Sequence, residues 1–125
     1  MASLRDLPFY SFERNEKRKV DCIFCKIINK SLEANIVYEN DNLSAFYDTS
    51  PSAPVHILVV PKKHITSVNQ MKEEDEGLFG ELIYSAKIIA EEQKIDDGYK
   101  LLFNVGRKAG QMVDHVHLHL QGGWK

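Results

Sequence analysis

The stretch His115-Val-His-Leu-His-Leu-Gln121 alternates imidazole with aliphatic side chains, and nothing else in the chain constrains the fold as much. A period of two belongs to a β-strand, whose successive side chains point to opposite faces. His115, His117 and His119 therefore line one face, and Val116, Leu118 and Leu120 pack on the other. A strand face that merely had to be wet would be served by Thr, Lys or Glu. Imidazole is suited to proton transfer, nucleophilic attack or metal ligation near neutral pH, so the strand predicts a reactive face opposite a buried one. Residues two apart in a strand are about 6.6 Å apart along its axis, and residues four apart about 13 Å. Two neighbouring histidines can share one metal ion, but three cannot without a bulge. The triad must be divided between tasks, or used along an extended substrate.

The rest of the chain predicts what that strand packs against. Ile23, Phe24, Ile27 and Ile28 recur at helical spacing and predict a short helix. Ile36 to Glu39 and Leu43 to Tyr47, separated by Asn40-Asp41-Asn42, predict a β-hairpin. After the rigid loop Ser50-Pro-Ser-Ala-Pro54 comes the apolar strand Val55 to Val60, stopped by Pro61. One long helix is expected from about Lys72 to Lys94, with Leu78, Leu82, Ala86 and Ile89 on one stripe and Phe79, Ile83 and Ala90 beside it. Glu73, Glu74, Asp75 and Glu76 would sit at the positive end of its dipole. Asp96-Asp-Gly98 turns the chain into a strand from Tyr99 to Val105, followed by a loop with Gly106 and Gly110 and then the histidine strand. Five short strands with one long and one short helix predict an α+β domain with a mainly antiparallel sheet. Residues 1–20 read as an N-terminal arm carrying the exposed cluster Arg14 to Lys19, and 21–125 as the domain.

With 125 residues and 43% apolar content, the chain suffices for one domain with a real core. A net charge of -2 gives no broad basic field for nucleic acid. No apolar run approaches the ~20 residues of a membrane span, and no signal-peptide pattern opens the chain. A cytoplasmic location is expected, with a nuclear one open.

Two further signals carry chemistry. Cys22-x-x-Cys25 is spaced to clamp one metal ion, with histidines as the obvious remaining ligands. A redox dithiol or two unconnected thiols are the rival readings, and spacing alone does not choose which histidines join the pair. His56 and His64, within and just after an apolar strand, each read taken alone more readily as hydrogen-bonded core or surface residues than as functional ones. The loop from Asn104 to Val113, with Gly106 and Gly110, offers backbone N–H groups and the neutral amides of Asn104 and Gln111 immediately before the histidines. That placement makes it a candidate phosphate cradle.

At this point the chain resembles the histidine-triad (HIT) superfamily, whose signature alternates three histidines with apolar residues and ends on two apolar positions. Only Gln121 departs from it. Cys22-Ile-Phe-Cys-Lys-Ile-Ile28, Ala45-Phe-Tyr-Asp48, the stretch from Ser50 to Thr66, and Asn104 through Gly123 are similar to its nucleotide-binding phosphoramidase branch. The resemblance implies a homodimer of HIT-like protomers, each with a five-stranded sheet, binding a purine nucleoside monophosphate group. It implies hydrolysis of the P–N bond of adenosine 5′-phosphoramidate and related nucleoside phosphoramidates. His117 would be the nucleophile, His119 would contact the phosphate and help the departing amine, and His56 would support the nucleophile from a neighbouring strand. Ile23, Phe24, Ile27 and Phe46 would sandwich the base, and Asp48 would bind the ribose hydroxyls. Asn104, Gly110, Gln111, Met112 and Val113 would form the phosphate loop. Relatives with the cysteine pair hold a structural zinc, whose ligands here would be Cys22, Cys25, His64 and His115. Met112 replaces a frequent serine, and the chain ends at Trp124-Lys125 where some relatives continue with a tail that reaches the partner's site, so leaving-group preference is the least defined property. A dinucleoside polyphosphate hydrolase, a nucleotide- or partner-binding protein, and a zinc hydrolase with an open metal position are the alternatives.

Overall fold

Val55–Pro61 is apolar at almost every position because both faces of this strand are covered. The computed structural model describes residues 22–125; the N-terminal arm read from residues 1–20 lies outside the described residues. The elements in chain order are helix α1 (Ile23–Ile28), strands β1 (Ile36–Glu39), β2 (Leu43–Tyr47) and β3 (Val55–Pro61), helix α2 (Glu76–Glu92), and strands β4 (Tyr99–Leu102) and β5 (Leu118–Gly122). Short 3-10 turns occupy Val68–Gln70, Glu73–Asp75 and Arg107–Ala109. The five strands form one antiparallel sheet in the order β1-β2-β3-β5-β4, so the predicted α+β fold with its antiparallel sheet is the one observed.

The two faces of the sheet are covered unequally. On one, Ile57 and Val59 of β3 and Leu118 and Leu120 of β5 pack with Leu82, Ala86, Ile89 and Ala90 of α2. On the other, Phe46, Leu58 and Val60 pack with Cys22, Phe24 and Ile27 around α1. A short helix covers less sheet than a long one, and this second face is where a cavity remains open.

Three boundaries and the burial of one residue differ from the sequence expectation. The long helix begins at Glu76, because Glu73–Asp75 form a 3-10 turn in which Asp75 accepts from the Lys72 backbone N–H and from Lys63 Nζ. Ile83, placed beside the buried stripe, is 48% exposed on the outer side of α2. β4 ends at Leu102 rather than Val105. Most consequentially, the histidine strand is regular only from Leu118. Leu118 pairs with Val59, and beyond that point β3 reaches Pro61, which has no N–H to offer a ladder. The backbone N–H of Val116 bonds instead to the carbonyl of Ile65 at 2.7 Å. The alternation of faces survives this break: Val116, Leu118 and Leu120 all lie in the α2-side core. Among the described residues no helix is long and apolar enough to cross a membrane.

Candidate functional site

Because the ladder stops at Leu118, the first histidine leaves the strand path and joins a different group. His115 is fully buried, with its Nδ1 3.3 Å from Cys22 Sγ and 3.5 Å from Cys25 Sγ. Cys25 Sγ lies 3.2 Å from His64 Nδ1. The ligand atoms of Cys22, Cys25, His64 and His115 all fall within 4.8 Å of one another, so these four residues are positioned to hold a metal ion. The donor chemistry fits as well as the spacing. His115 Nε2 donates to the carbonyl of Pro61 at 2.8 Å, which fixes the proton there and leaves Nδ1 bare toward the thiols. An imidazole whose outer N–H is held by a carbonyl is the usual arrangement of a metal-ligating histidine. Burial pushes the His115 imidazole down to about 4, so it is neutral at ordinary pH. Cys22 also caps α1, accepting from the Cys25 backbone N–H at 3.4 Å, which ties the cluster to the helix that covers the second face.

The other two triad histidines face a cavity of about 700 Å3. Its apolar side is built by Ile23, Phe24 and Ile27 of α1, Phe46 of β2 and Leu58 of β3. Phe24 meets Phe46 edge-on at 5.5 Å and the ring of His117 at 5.1 Å. Asp48 stands at the end of β2, and Asn104, Gly110, Met112 and Val113 close the cavity opposite it. All of these except Leu58 are candidates from the sequence, and the fold brings them together around His117 and His119.

His117 Nδ1 donates to the carbonyl of His115 at 2.7 Å. In the neutral ring that bond places the proton on Nδ1 and leaves Nε2 as the lone-pair atom. Burial lowers the His117 pKa, which keeps the ring in this form at neutral pH.

His119 is held by a chain of bonds that begins in a loop. The backbone N–H of Ser52 donates to His56 Nδ1 at 3.0 Å. An N–H donor can only face a bare nitrogen, so the proton of neutral His56 sits on Nε2. His56 Nε2 is 2.9 Å from His119 Nδ1 and 3.5 Å from Asp48 Oδ2. His56 therefore donates to His119 Nδ1, and the proton of His119 is left on Nε2. That atom is buried and has no hydrogen-bond partner among the described residues. Burial, reinforced by repulsion from His117 and His56, pushes the His119 imidazole down to about 4. The outcome is two neighbouring rings, 4.9 Å between centroids, one with an unoccupied lone pair and the other with an unused N–H. Asp48, His56 and His119 also place three ligand atoms within 4.8 Å. Ligation through His56 Nε2 would put a proton on Nδ1 against the Ser52 N–H, so this second group is arranged for a proton rather than an ion.

Gln111 is placed differently from expectation. Its side chain is buried, accepts from the Gly106 N–H at 2.9 Å and donates to the carbonyls of Thr66 and Val113 at 2.7 and 3.0 Å. Its backbone N–H bonds to the carbonyl of Gly106. With both amide hydrogens committed inside the protein, Gln111 shapes the loop and leaves the cavity to its neighbours. Gly110 (φ 96°) adopts the left-handed conformation that this tight turn requires. Met112 is 78% exposed at the cavity rim. Leu32, Asn35, Thr49 and Leu58 also line the cavity and were missed in the sequence. Leu58 was detectable, since it follows His56 by two in a strand and must share its face. Leu32 and Asn35 lie in an irregular connection with no periodic signal.

Comparison with known proteins agrees with this arrangement. Residues 29–125 match the model of the HIT domain family. An uncharacterised HIT-like protein of Synechococcus elongatus is 45% identical over 82% of this chain and 90% of its own length. Among solved structures, a HIT family hydrolase from Legionella pneumophila superposes with a TM-score of 0.82 at 42% identity, covering 84% of this chain and 95% of that one. A histidine triad nucleotide-binding protein from Candida albicans gives a TM-score of 0.73 at 30% identity, covering 84% of this chain and 83% of that one. With its triad inside the matched region and its cavity built around two of the three histidines, the chain belongs to the HIT domain family.

Proposed function

We propose that this protein hydrolyses the P–N bond of purine nucleoside 5′-phosphoramidates through a nucleotidyl-histidine intermediate. The observation that carries the reading is the set of ring partners of His117, His56 and His119, which together leave a lone pair beside an N–H at the head of an apolar cavity. Hydrolase and nucleotide-binding relatives add support. The purine would enter between Ile23, Phe24, Ile27 and Phe46, with its ribose hydroxyls donating to Asp48. The phosphate would rest against the loop of Asn104, Gly110, Met112 and Val113. His117 Nε2 attacks the α-phosphorus, a P–N bond to the ring forms, and the bond to the amine breaks. The departing nitrogen takes up a proton, for which His119 Nε2–H is the nearby donor. Water then attacks the phosphorus and passes a proton to His119 Nε2, the bond to His117 Nε2 breaks, and release of the nucleoside monophosphate leaves both histidines as they began. Covalent catalysis of this kind divides one difficult displacement into two easier ones.

The resident metal in this reading is zinc, held by Cys22, Cys25, His64 and His115, where it stabilises the fold around α1 and takes no part in the reaction. The working unit is a homodimer, in keeping with the family resemblance. A side-by-side rate comparison of an adenosine phosphoramidate with diadenosine polyphosphates tests the proposal. A clear preference for the phosphoramidate supports it. Faster turnover of the polyphosphates would make the protein a dinucleoside polyphosphate hydrolase with the same nucleophile. Binding of AMP with neither activity would reduce it to a nucleotide-binding protein.

A further inference from the structure

Gln121 is the one position where the triad stretch departs from apolar residues, and its side chain has a defined task. It stands directly opposite His56 in the β3–β5 pairing, on the site face of the sheet two residues after His119. From there Gln121 Nε2 donates to Ser52 Oγ at 3.0 Å. Ser52 belongs to the Ser50–Pro54 loop, outside any strand or helix, where a backbone N–H is not held in place by a ladder. Its N–H lies 3.0 Å from His56 Nδ1 and its hydroxyl 3.5 Å from the same atom. A paired strand thus tethers the irregular loop that aims donors at His56.

We propose that Gln121 and Ser52 are positioning residues that hold His56 in its Nε2–H tautomer and thereby keep the proton of His119 on Nε2, facing the leaving group. Without that tether the Ser52 N–H loses a restraint on its aim, and His56 gains access to the Nδ1–H tautomer. His56 Nε2 would then accept from His119 Nδ1–H, and a bare His119 Nε2 would meet the substrate with no proton to give. The inference rests on the proposed reaction for its kinetic consequence, while the tautomers can be observed without any substrate.

The direct test is side-chain 15N NMR of the histidines in the metal-loaded, full-length protein, with the variants Gln121→Leu, Ser52→Ala and Ser52→Thr. The wild type is expected to show His56 and His119 both protonated on Nε2. Gln121→Leu and Ser52→Ala are expected to populate the Nδ1–H forms of both rings with little change in melting temperature, and Ser52→Thr, which keeps both donors, to restore the wild-type pattern. In the kinetic arm, the first two variants slow hydrolysis of an alkylamine phosphoramidate by roughly three- to tenfold at unchanged KM, the worth of one hydrogen bond. They leave a 4-nitrophenyl ester of AMP, whose leaving group needs no proton, at its wild-type rate. Unchanged 15N spectra in both variants, or equal slowing on the two substrates, would overturn the inference. A wild type that turns over neither substrate would overturn the proposed reaction alone, and the spectra would still decide the tautomers.

Discussion

Two histidine clusters occupy the sheet face on which α1 packs, and they differ in what faces their outer nitrogens. In the cluster of Cys22, Cys25, His64 and His115, the outer nitrogen of His115 meets a carbonyl, that of Pro61. In the cluster of Asp48, His56 and His119, the outer nitrogen of His56 meets an N–H, that of Ser52. A carbonyl draws the proton outward and leaves a lone pair inside, ready for an ion. An N–H forces the proton inward and leaves a donor inside, the group that the proposed reaction offers to its departing amine. The comparison teaches that counting histidines and measuring their spacing does not assign them; the partner of the far nitrogen does. His117 lies between the two clusters, since Phe24 contacts the rings of both His115 and His117, at 6.0 and 5.1 Å between centroids, and the His117 ring stands 4.9 Å from that of His119. The carbonyl of His115 holds the tautomer of His117.

The division can be broken most sharply at His117, the proposed nucleophile. His117→Ala is expected to lower turnover by about a thousandfold or more while leaving bound metal at one equivalent. Elemental analysis beside single-turnover kinetics checks it, and joint loss of metal and activity would instead favour a metal-based hydrolase. Phe24→Ala should damage both clusters at once. Removing a buried ring costs about 3–5 kcal/mol, so denaturant unfolding should show the loss, together with a raised KM for the nucleotide.

A smaller and more selective effect is expected on the ion side. Chelation, or Cys25→Ala, should lower stability by about 3 kcal/mol when the metal is present at a hundredfold excess over its dissociation constant. Melting curves with and without chelator check this, and kcat below the melting transition should fall by less than tenfold. The smallest effect concerns protons. His119 is held near 4 in the folded protein against an ordinary value of 6.5. Between those limits the unfolded chain binds the proton and the folded chain does not, so the folded state loses stability as pH falls from about 6.5 toward 4. Melting temperature measured across that window should decline on the acid side, and His119→Gln should lessen the decline, with His115 accounting for part of the remainder.

Much of the fold was legible because it depends on local patterns. The hairpin around Asn40-Asp-Asn42, the doubly buried strand ended by Pro61 and the long amphipathic helix each carry their signal within about twenty residues. The errors fell where tertiary partners override local preference. Glu73–Asp75 tightened into a 3-10 turn when Asp75 was captured by Lys63. Gln111 looked like a free donor beside glycines, but it is consumed by carbonyls as far away in sequence as Thr66.

The sequence by itself determined which side of the sheet each triad residue occupies, because a period of two sorts side chains between faces and the aliphatic ones demand burial. It also determined that three imidazoles in line could not serve one ion. What only the tertiary structure decided is which nitrogen of each ring carries the proton. That depends on the carbonyl of Pro61 for His115, the carbonyl of His115 for His117, and the N–H of Ser52 acting through His56 for His119. Two of these partners lie more than fifty residues away in the chain, and a proton's position is fixed by a contact of about 3 Å, which no spacing along the sequence encodes.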